Sequence, residues 1–136
     1  MPTPRNISPV PATILVVDDD PVIQKLLSVN FELEGYRVIT AGDGVEGLEA
    51  VSADAPDIVL LDVMMPRMDG LEVCRRLKGD PGTASIPVIL LSAKAQATDV
   101  SGGLDAGADD YVTKPFDPLE LLDRVAGLIG AAGGAS

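Results

Sequence analysis

The sequence has no histidine and no tryptophan, one cysteine, and only two tyrosines and two phenylalanines among its 136 residues. Without histidine there is no imidazole base for catalysis, and with a single cysteine an ordinary zinc site is excluded in practice. Nor can the chain itself carry a phosphohistidine. Cys74 has no partner for an intrachain disulfide. It falls on the apolar helical face Leu71, Cys74, Leu77 and reads as a small core side chain rather than a reactive thiol. Aromatics are 3% of the residues, so the core has to be built from Val, Ile, Leu, Ala and Met. No apolar run reaches the roughly 20 residues of a membrane-spanning helix. The Pro-rich start lacks the apolar stretch of a signal peptide. Basic residues are scarce, 10 Lys and Arg against 21 Asp and Glu, for a net charge of −11. That charge repels phosphate-rich partners, so neither direct nucleic-acid binding nor membrane association is expected, and cytoplasmic placement is the expectation.

At this length and 46% apolar content the chain suits one domain with one core. Residues 1–12 read as a flexible extension, 13–129 as the folded domain, and 130–136, which contain only Gly, Ala and Ser, as a tail. Short β-branched runs alternate with longer helical patterns. Strands are expected at Thr13–Val17, Arg37–Thr40, Ile58–Leu61, Val88–Leu91 and Asp110–Thr113. Helices are expected at Pro21–Glu34, Gly44–Ala53, Gly70–Lys78, Thr98–Ala106 and Pro118–Ile129. Three strands are almost continuous in Val, Ile and Leu, as when both sheet faces are covered. Asp43, Asp69 and Asp117 each precede a helix with a Glu three residues on, the spacing of an N-terminal cap. Asp20-Pro21 and Asp117-Pro118 place proline at the first helical position, and Gly35 and Gly107 can close helices in the left-handed conformation. Five βα units imply an α/β, doubly wound (βα)5 three-layer sandwich with a parallel sheet. The strand order 2-1-3-4-5 is taken from flavodoxin-like folds of this kind.

In such a sheet, ligands bind beyond the carboxyl ends of the strands. There the first strand ends in Asp18-Asp19, the third in Asp62, the fourth in Ser92 and the fifth in Lys114. Three carboxylates in a small site repel one another, and Lys114 offsets only part of that charge. A hard divalent cation offsets the rest. Oxygen donors alone point to Mg²⁺, with Mn²⁺ as a substitute. Asp62, at the end of an apolar strand, can act as a nucleophile on phosphorus and form an acyl phosphate. Lys114 can stabilise charge on the transferred phosphoryl group, and the Ser92 hydroxyl can donate to one of its oxygens. On bare chemistry Ser92 is nearly as well explained as a local backbone cap, and Tyr111 as a half-buried core aromatic. Asp20 and Asp69 read as helix caps, and Met64, Met65 and Met68 as packing.

Four segments, in order on successive strand ends, carry a resemblance to one family. They are Val16-Val17-Asp18-Asp19-Asp20, Leu60 through Gly70, Leu91-Ser92-Ala93, and Gly107 through Phe116. Together they resemble the receiver domain of two-component response regulators, over roughly Thr13 to Ile129. The resemblance implies that Asp62 accepts a phosphoryl group from a sensor histidine kinase or a histidine phosphotransfer protein. It implies a metal held by Asp19 directly, by Asp18 mostly through water, by Asp62, and by the backbone carbonyl of Met64. It implies that Lys114 pairs with the phosphoryl group, that the Lys114–Pro115 bond is cis, and that Ser92 and Tyr111 form a relay. The face of the fourth helix, fifth strand and fifth helix would then switch and engage an unknown output protein or domain. The fourth helix contains Gly102 and Gly103 and is expected to be the least stable. The domain would be a switch rather than a metabolic enzyme, either stand-alone or a piece of a longer regulator. Met64 and Lys94 stand at positions that vary in the family and affect phosphate lifetime.

Three rival readings compete with this one. An aspartate-dependent phosphatase would use Asp18 as nucleophile and Asp20 as acid, but leaves the segment around Asp62 unexplained. A flavin module would need a Gly/Ser/Thr-rich phosphate loop where the chain has Asp18-Asp19-Asp20-Pro21. A degenerate receiver used only for docking does not explain an intact acidic site.

Overall fold

The computed structural model of the protein describes residues 11–94 and 96–134. Most of the expected extension and the last residues of the tail lie outside them. The elements alternate as β1 (Thr13–Val17), α1 (Pro21–Leu33), β2 (Arg37–Ala41), α2 (Gly44–Asp54), β3 (Ile58–Asp62), α3 (Gly70–Gly79), β4 (Val88–Ser92), α4 (Ala97–Asp105), β5 (Asp110–Thr113) and α5 (Pro118–Gly134). The strands form one parallel sheet of order β2-β1-β3-β4-β5, the expected doubly wound arrangement.

Side chains alternate across the sheet with period two, and this splits the core into two clusters. Leu15 and Val17, Val59 and Leu61, and Val88 and Leu90 face one way, packing with Val51 of α2 and with Val73, Cys74 and Leu77 of α3. Ile14 and Val16, Ile58 and Leu60, and Ile89 and Leu91 face the other way, with Leu27 and Phe31 of α1 and Leu121 and Val125 of α5. β1, β3 and β4 are buried on both faces, which is why they read as unbroken apolar runs. Cys74 is buried among them.

Helix starts follow the expected chemistry. The carboxylates of Asp20, Asp43, Asp69 and Asp117 accept from the N–H groups of Val22, Glu46, Glu72 and Leu119. The reciprocal half of the cap is absent at Asp69, because Glu72 turns instead to Arg75 and Arg76. Gly35 and Gly107 take φ of +94° and +103°, as left-handed helix ends require. Ala55 does the same at φ +46° without being glycine, ending α2 where no sequence signal marked it.

Most boundaries fall within a residue of expectation. α5 is the exception: it continues past Ile129 to Gly134, into the segment read as a tail. No proline interrupts it, and alanine is the strongest helix former. Met64 also departs from expectation. Met65 and Met68 pack against the core, whereas the Met64 side chain is exposed. No helix among the described residues is long and apolar enough to cross a membrane.

Candidate functional site

β1 and β3 are neighbours, and Val17 pairs with Leu61, so the residues that follow them, Asp18 and Asp62, stand side by side at the end of the sheet. Alternation then decides which side chains meet. Continuing the faces of Ile14 and Val16, of Ile58 and Leu60, and of Val112 puts Asp18, Asp62 and Lys114 on the α1/α5 side. Carboxylate oxygens of Asp18, Asp19 and Asp62 come within 4.8 Å of one another. Lys114 Nζ donates to Asp18 Oδ2 at 2.9 Å and lies 3.5 Å from Asp62 Oδ1. The Lys114–Pro115 peptide is cis. Asp18 is wholly buried and Asp62 nearly so, whereas Asp19 is exposed.

The β3–α3 loop is folded tightly against this edge. The Gly70 N–H donates to the Val63 carbonyl at 2.9 Å, and a Cβ at Gly70 would collide with the Asp62 carbonyl. Only glycine allows that approach. Met64 N–H points back to Asp62 Oδ1 at 3.3 Å. Arg67, at φ +68°, ties the loop to the start of α2 by donating Nε and Nη2 to Asp43 Oδ2 at 3.0 and 2.7 Å. The α2 cap and the Arg67 guanidinium hold the Asp43 carboxyl below its usual range.

Burial pushes the Asp62 carboxyl up to about 6, and the negative charge of Asp18 pushes the same way; Lys114 and the Met64 N–H pull it back only partly. Burial lowers the Lys114 ammonium, but hydrogen bonds and charge from Asp18 and Asp62 outweigh it, and the net shift is upward. The pocket therefore holds more negative charge than one lysine balances.

Ser92 and Tyr111 continue the opposite sheet face, that of Leu90. Ser92 Oγ is buried and accepts the Lys94 N–H at 3.0 Å. The Tyr111 hydroxyl donates to the Lys94 carbonyl at 2.8 Å. Residue 94 thus links the two through its backbone. The Tyr111 ring lies against Gly103, where a Cβ would come 2.7 Å from ring atom Cδ2. Asp20 is a helix cap, as expected, which accounts for this residue without the Asp-x-Asp phosphatase reading.

The family model described as "Response regulator receiver domain" matches residues 14–126. The chain belongs to the response regulator receiver domain family. This receiver is 49% identical over 116 residues to the DNA-binding dual master transcriptional regulator RpaA of Synechocystis sp., a match spanning 85% of this chain and 48% of that protein. It is 49% identical over 112 residues to the DNA-binding response regulator MtrA of Mycolicibacterium smegmatis, over 82% of this chain and 48% of that one. The chain thus spans about half the length of these curated relatives. Among solved structures, the Francisella response regulator 1452 receiver domain superposes with a TM-score of 0.83 at 36% identity, covering 88% of this chain and 98% of that one. Because the two regulators are named as DNA-binding, the comparisons lend no support to the expectation of no nucleic-acid contact.

A hard cation fits the donor set of this receiver: three clustered carboxylates, one raised well above its ordinary range by burial and like charge. Three sets of contacts escaped sequence reasoning. Gln24 donates its side-chain amide to the carbonyls of Asp18 at 2.6 Å and Ala41 at 3.2 Å. Its signal was available, since helical side chains lean toward the N-terminus and Gln24 sits one turn after the Asp20 cap. Lys94 acts through its backbone, which no residue type reveals. Arg67 gave no sign of its contact with Asp43, 24 residues away.

Proposed function

We propose that this receiver accepts a phosphoryl group on Asp62 from a phosphohistidine of a sensor histidine kinase or histidine phosphotransfer protein. The observation that carries this reading is the meeting of Asp18, Asp19 and Asp62 within 4.8 Å, with Lys114 Nζ 3.5 Å from Asp62 Oδ1. An Asp62 carboxylate oxygen attacks phosphorus, the P–N bond breaks, and its electron pair returns to the imidazole. With its pKa near 6, Asp62 is mostly ionised and nucleophilic at neutral pH. Lys114, already at the rim, turns from the carboxylates toward the arriving phosphoryl oxygens.

Asp19, Asp62 and the Met64 backbone carbonyl would hold Mg²⁺ (or Mn²⁺), with Asp18 acting mostly through water. When bound, the cation supplies positive charge that offsets the crowded carboxylates and the phosphoryl oxygens. Both Asp18 oxygens are engaged, by the Asp20 N–H and by Lys114, which fits an indirect role.

The product is a switch state rather than a turned-over substrate. Ser92 Oγ, Lys94 and Tyr111 form a hydrogen-bonded path from the acceptor edge to β5. We assign the α4–β5–α5 face as the output surface on that basis. The net charge of −11 argues that any DNA contact of the kind named for the relatives belongs to another segment or another protein.

The test is intact-mass analysis after incubation with a small-molecule phosphodonor and Mg²⁺. One phosphoryl group is expected on the wild-type domain and none on Asp62→Asn. Equal mass gain in both would put the acceptor elsewhere.

A further inference from the structure

Asp19 makes no side-chain hydrogen bond or ion pair among the described residues, although it is the exposed carboxylate of the acidic cluster. The direction in which its side chain leaves the chain is therefore set by its backbone alone. The carbonyl of Asp18 and the N–H of Asp19 belong to one planar peptide group, so whatever holds that carbonyl also orients Asp19. Residue 18 lies just beyond the β1–β2 ladder, which ends with Val17 opposite Ala41. Its N–H still reaches the Ala41 carbonyl at 3.1 Å. Its carbonyl is met by the Gln24 side chain at 2.6 Å, and the same nitrogen reaches the Ala41 carbonyl at 3.2 Å. Two carbonyl oxygens facing one side-chain atom require an amide nitrogen with two hydrogens, which fixes the orientation of the Gln24 amide.

We propose that Gln24 is a positioning residue for the acidic pocket: its amide clamps the ends of β1 and β2 to α1 and so fixes the peptide plane that aims Asp19. The inference rests on the metal-binding reading given under the proposed function. The clamp is local and short. Gln24 is in the first turn of α1, and its side chain runs back toward the helix start, under the loop of residues 18–20. Asp18 gains separate support through its own carboxylate, held by the Asp20 N–H and Lys114 at 2.9 Å each. The Asp19 carboxylate has no such partner, and the peptide that follows Asp19 is held only through the Asp20 N–H on Asp18 Oδ1. Loss of the Gln24 donor should therefore loosen Asp19 more than Asp18.

The test uses Mg²⁺ alone, by calorimetric titration of the whole chain. Gln24→Met keeps the length of the side chain and removes both donors. It should weaken Mg²⁺ binding by about fivefold, the value of one ordinary hydrogen bond, with the folded state retained. A purely structural glutamine would lower the melting temperature and leave the Mg²⁺ affinity of the folded protein unchanged, and that result overturns the proposal. A second measurement needs no variant. In ¹H–¹⁵N spectra of the wild-type chain, the Gln24 side-chain amide should shift on Mg²⁺ saturation together with the Asp19 backbone amide. A Gln24 signal that stays fixed while Asp19 moves overturns the proposal even if Gln24→Met does not fold. If the wild-type chain takes up no Mg²⁺ at all, the metal-binding reading itself falls, and this inference with it.

Discussion

Lys114 Nζ is hydrogen-bonded to Asp18 Oδ2 at 2.9 Å, while the nearest oxygen of Asp62 stands farther off, at 3.5 Å. The lysine at the rim is thus committed first to the wholly buried carboxylate of Asp18 and only second to Asp62. Removing the lysine strands Asp18 with a single backbone donor. Lys114→Met should lower stability by roughly 1–3 kcal/mol in urea unfolding without divalent cations. Asp18→Asn in the same background should recover part of that loss, because the stranded charge goes with it. Additive losses in the double variant would show that the two residues do not act as a pair.

Asp62 should give the domain an unusual pH dependence. Its folded pKa is near 6, against an ordinary 3.8, so the folded state binds this proton more tightly than the unfolded state does. Its contribution to stability is then fully present below about pH 4 and is lost as pH rises through about 6, the reverse of a salt-bridged carboxylate. The loss is at most on the order of 3 kcal/mol. Urea midpoints in EDTA between about pH 4.5 and pH 7 should fall more steeply for the wild type than for Asp62→Asn. Parallel slopes in the two proteins would remove Asp62 as the cause.

The architecture was legible because burial writes itself into composition. β1, β3 and β4 are covered on both faces, so they read as unbroken apolar runs, and their shortness and β-branched content mark them as strands. The convergence of Asp18, Asp62 and Lys114 was legible for a related reason: in a parallel sheet every strand delivers its last side chain to the same edge. What was not legible is decided by distances of a few tenths of an ångström or by backbone groups. No residue pattern says that Lys114 prefers Asp18 to Asp62, or that the amide and carbonyl of Lys94 join Ser92 to Tyr111. Gln24 was passed over because a polar residue on an amphipathic helix ordinarily marks the solvent face. The α5 boundary was set too early because residues 130–136 read as a tail by composition, whereas Ala131 and Ala132 favour the helix and no proline stops it, despite three glycines.

The two adjacent glycines of α4 should behave in opposite ways. A Cβ on Gly102 meets nothing within 4 Å, whereas one on Gly103 would lie 2.7 Å from Tyr111 Cδ2 and 2.8 Å from Leu90 Cδ1. Gly102→Ala should therefore stabilise the domain by about 1 kcal/mol through helix propensity. Gly103→Ala should destabilise it by roughly 1–3 kcal/mol, as overpacking does, and displace the Tyr111 ring. Chemical denaturation of both variants, with the near-ultraviolet tyrosine dichroism of each, measures this. Equal effects from the two alanines would mean that the Tyr111 seat does not depend on Gly103.

Arg67 combines a left-handed backbone, φ +68°, with a side chain that holds the β3–α3 loop to Asp43. Truncation to alanine loses the contact and keeps the unfavourable φ, whereas glycine loses the contact and relieves it. Arg67→Gly should therefore be more stable than Arg67→Ala by about 1 kcal/mol, although it removes more atoms. The two variants should also resemble each other in any effect on Mg²⁺ binding, because both free the loop that carries Met64 from α2. Urea unfolding ranks their stabilities, and calorimetry ranks their affinities. If alanine proves the more stable of the two, residue 67 does not occupy the left-handed region in solution. The strain assigned to this loop would then be absent.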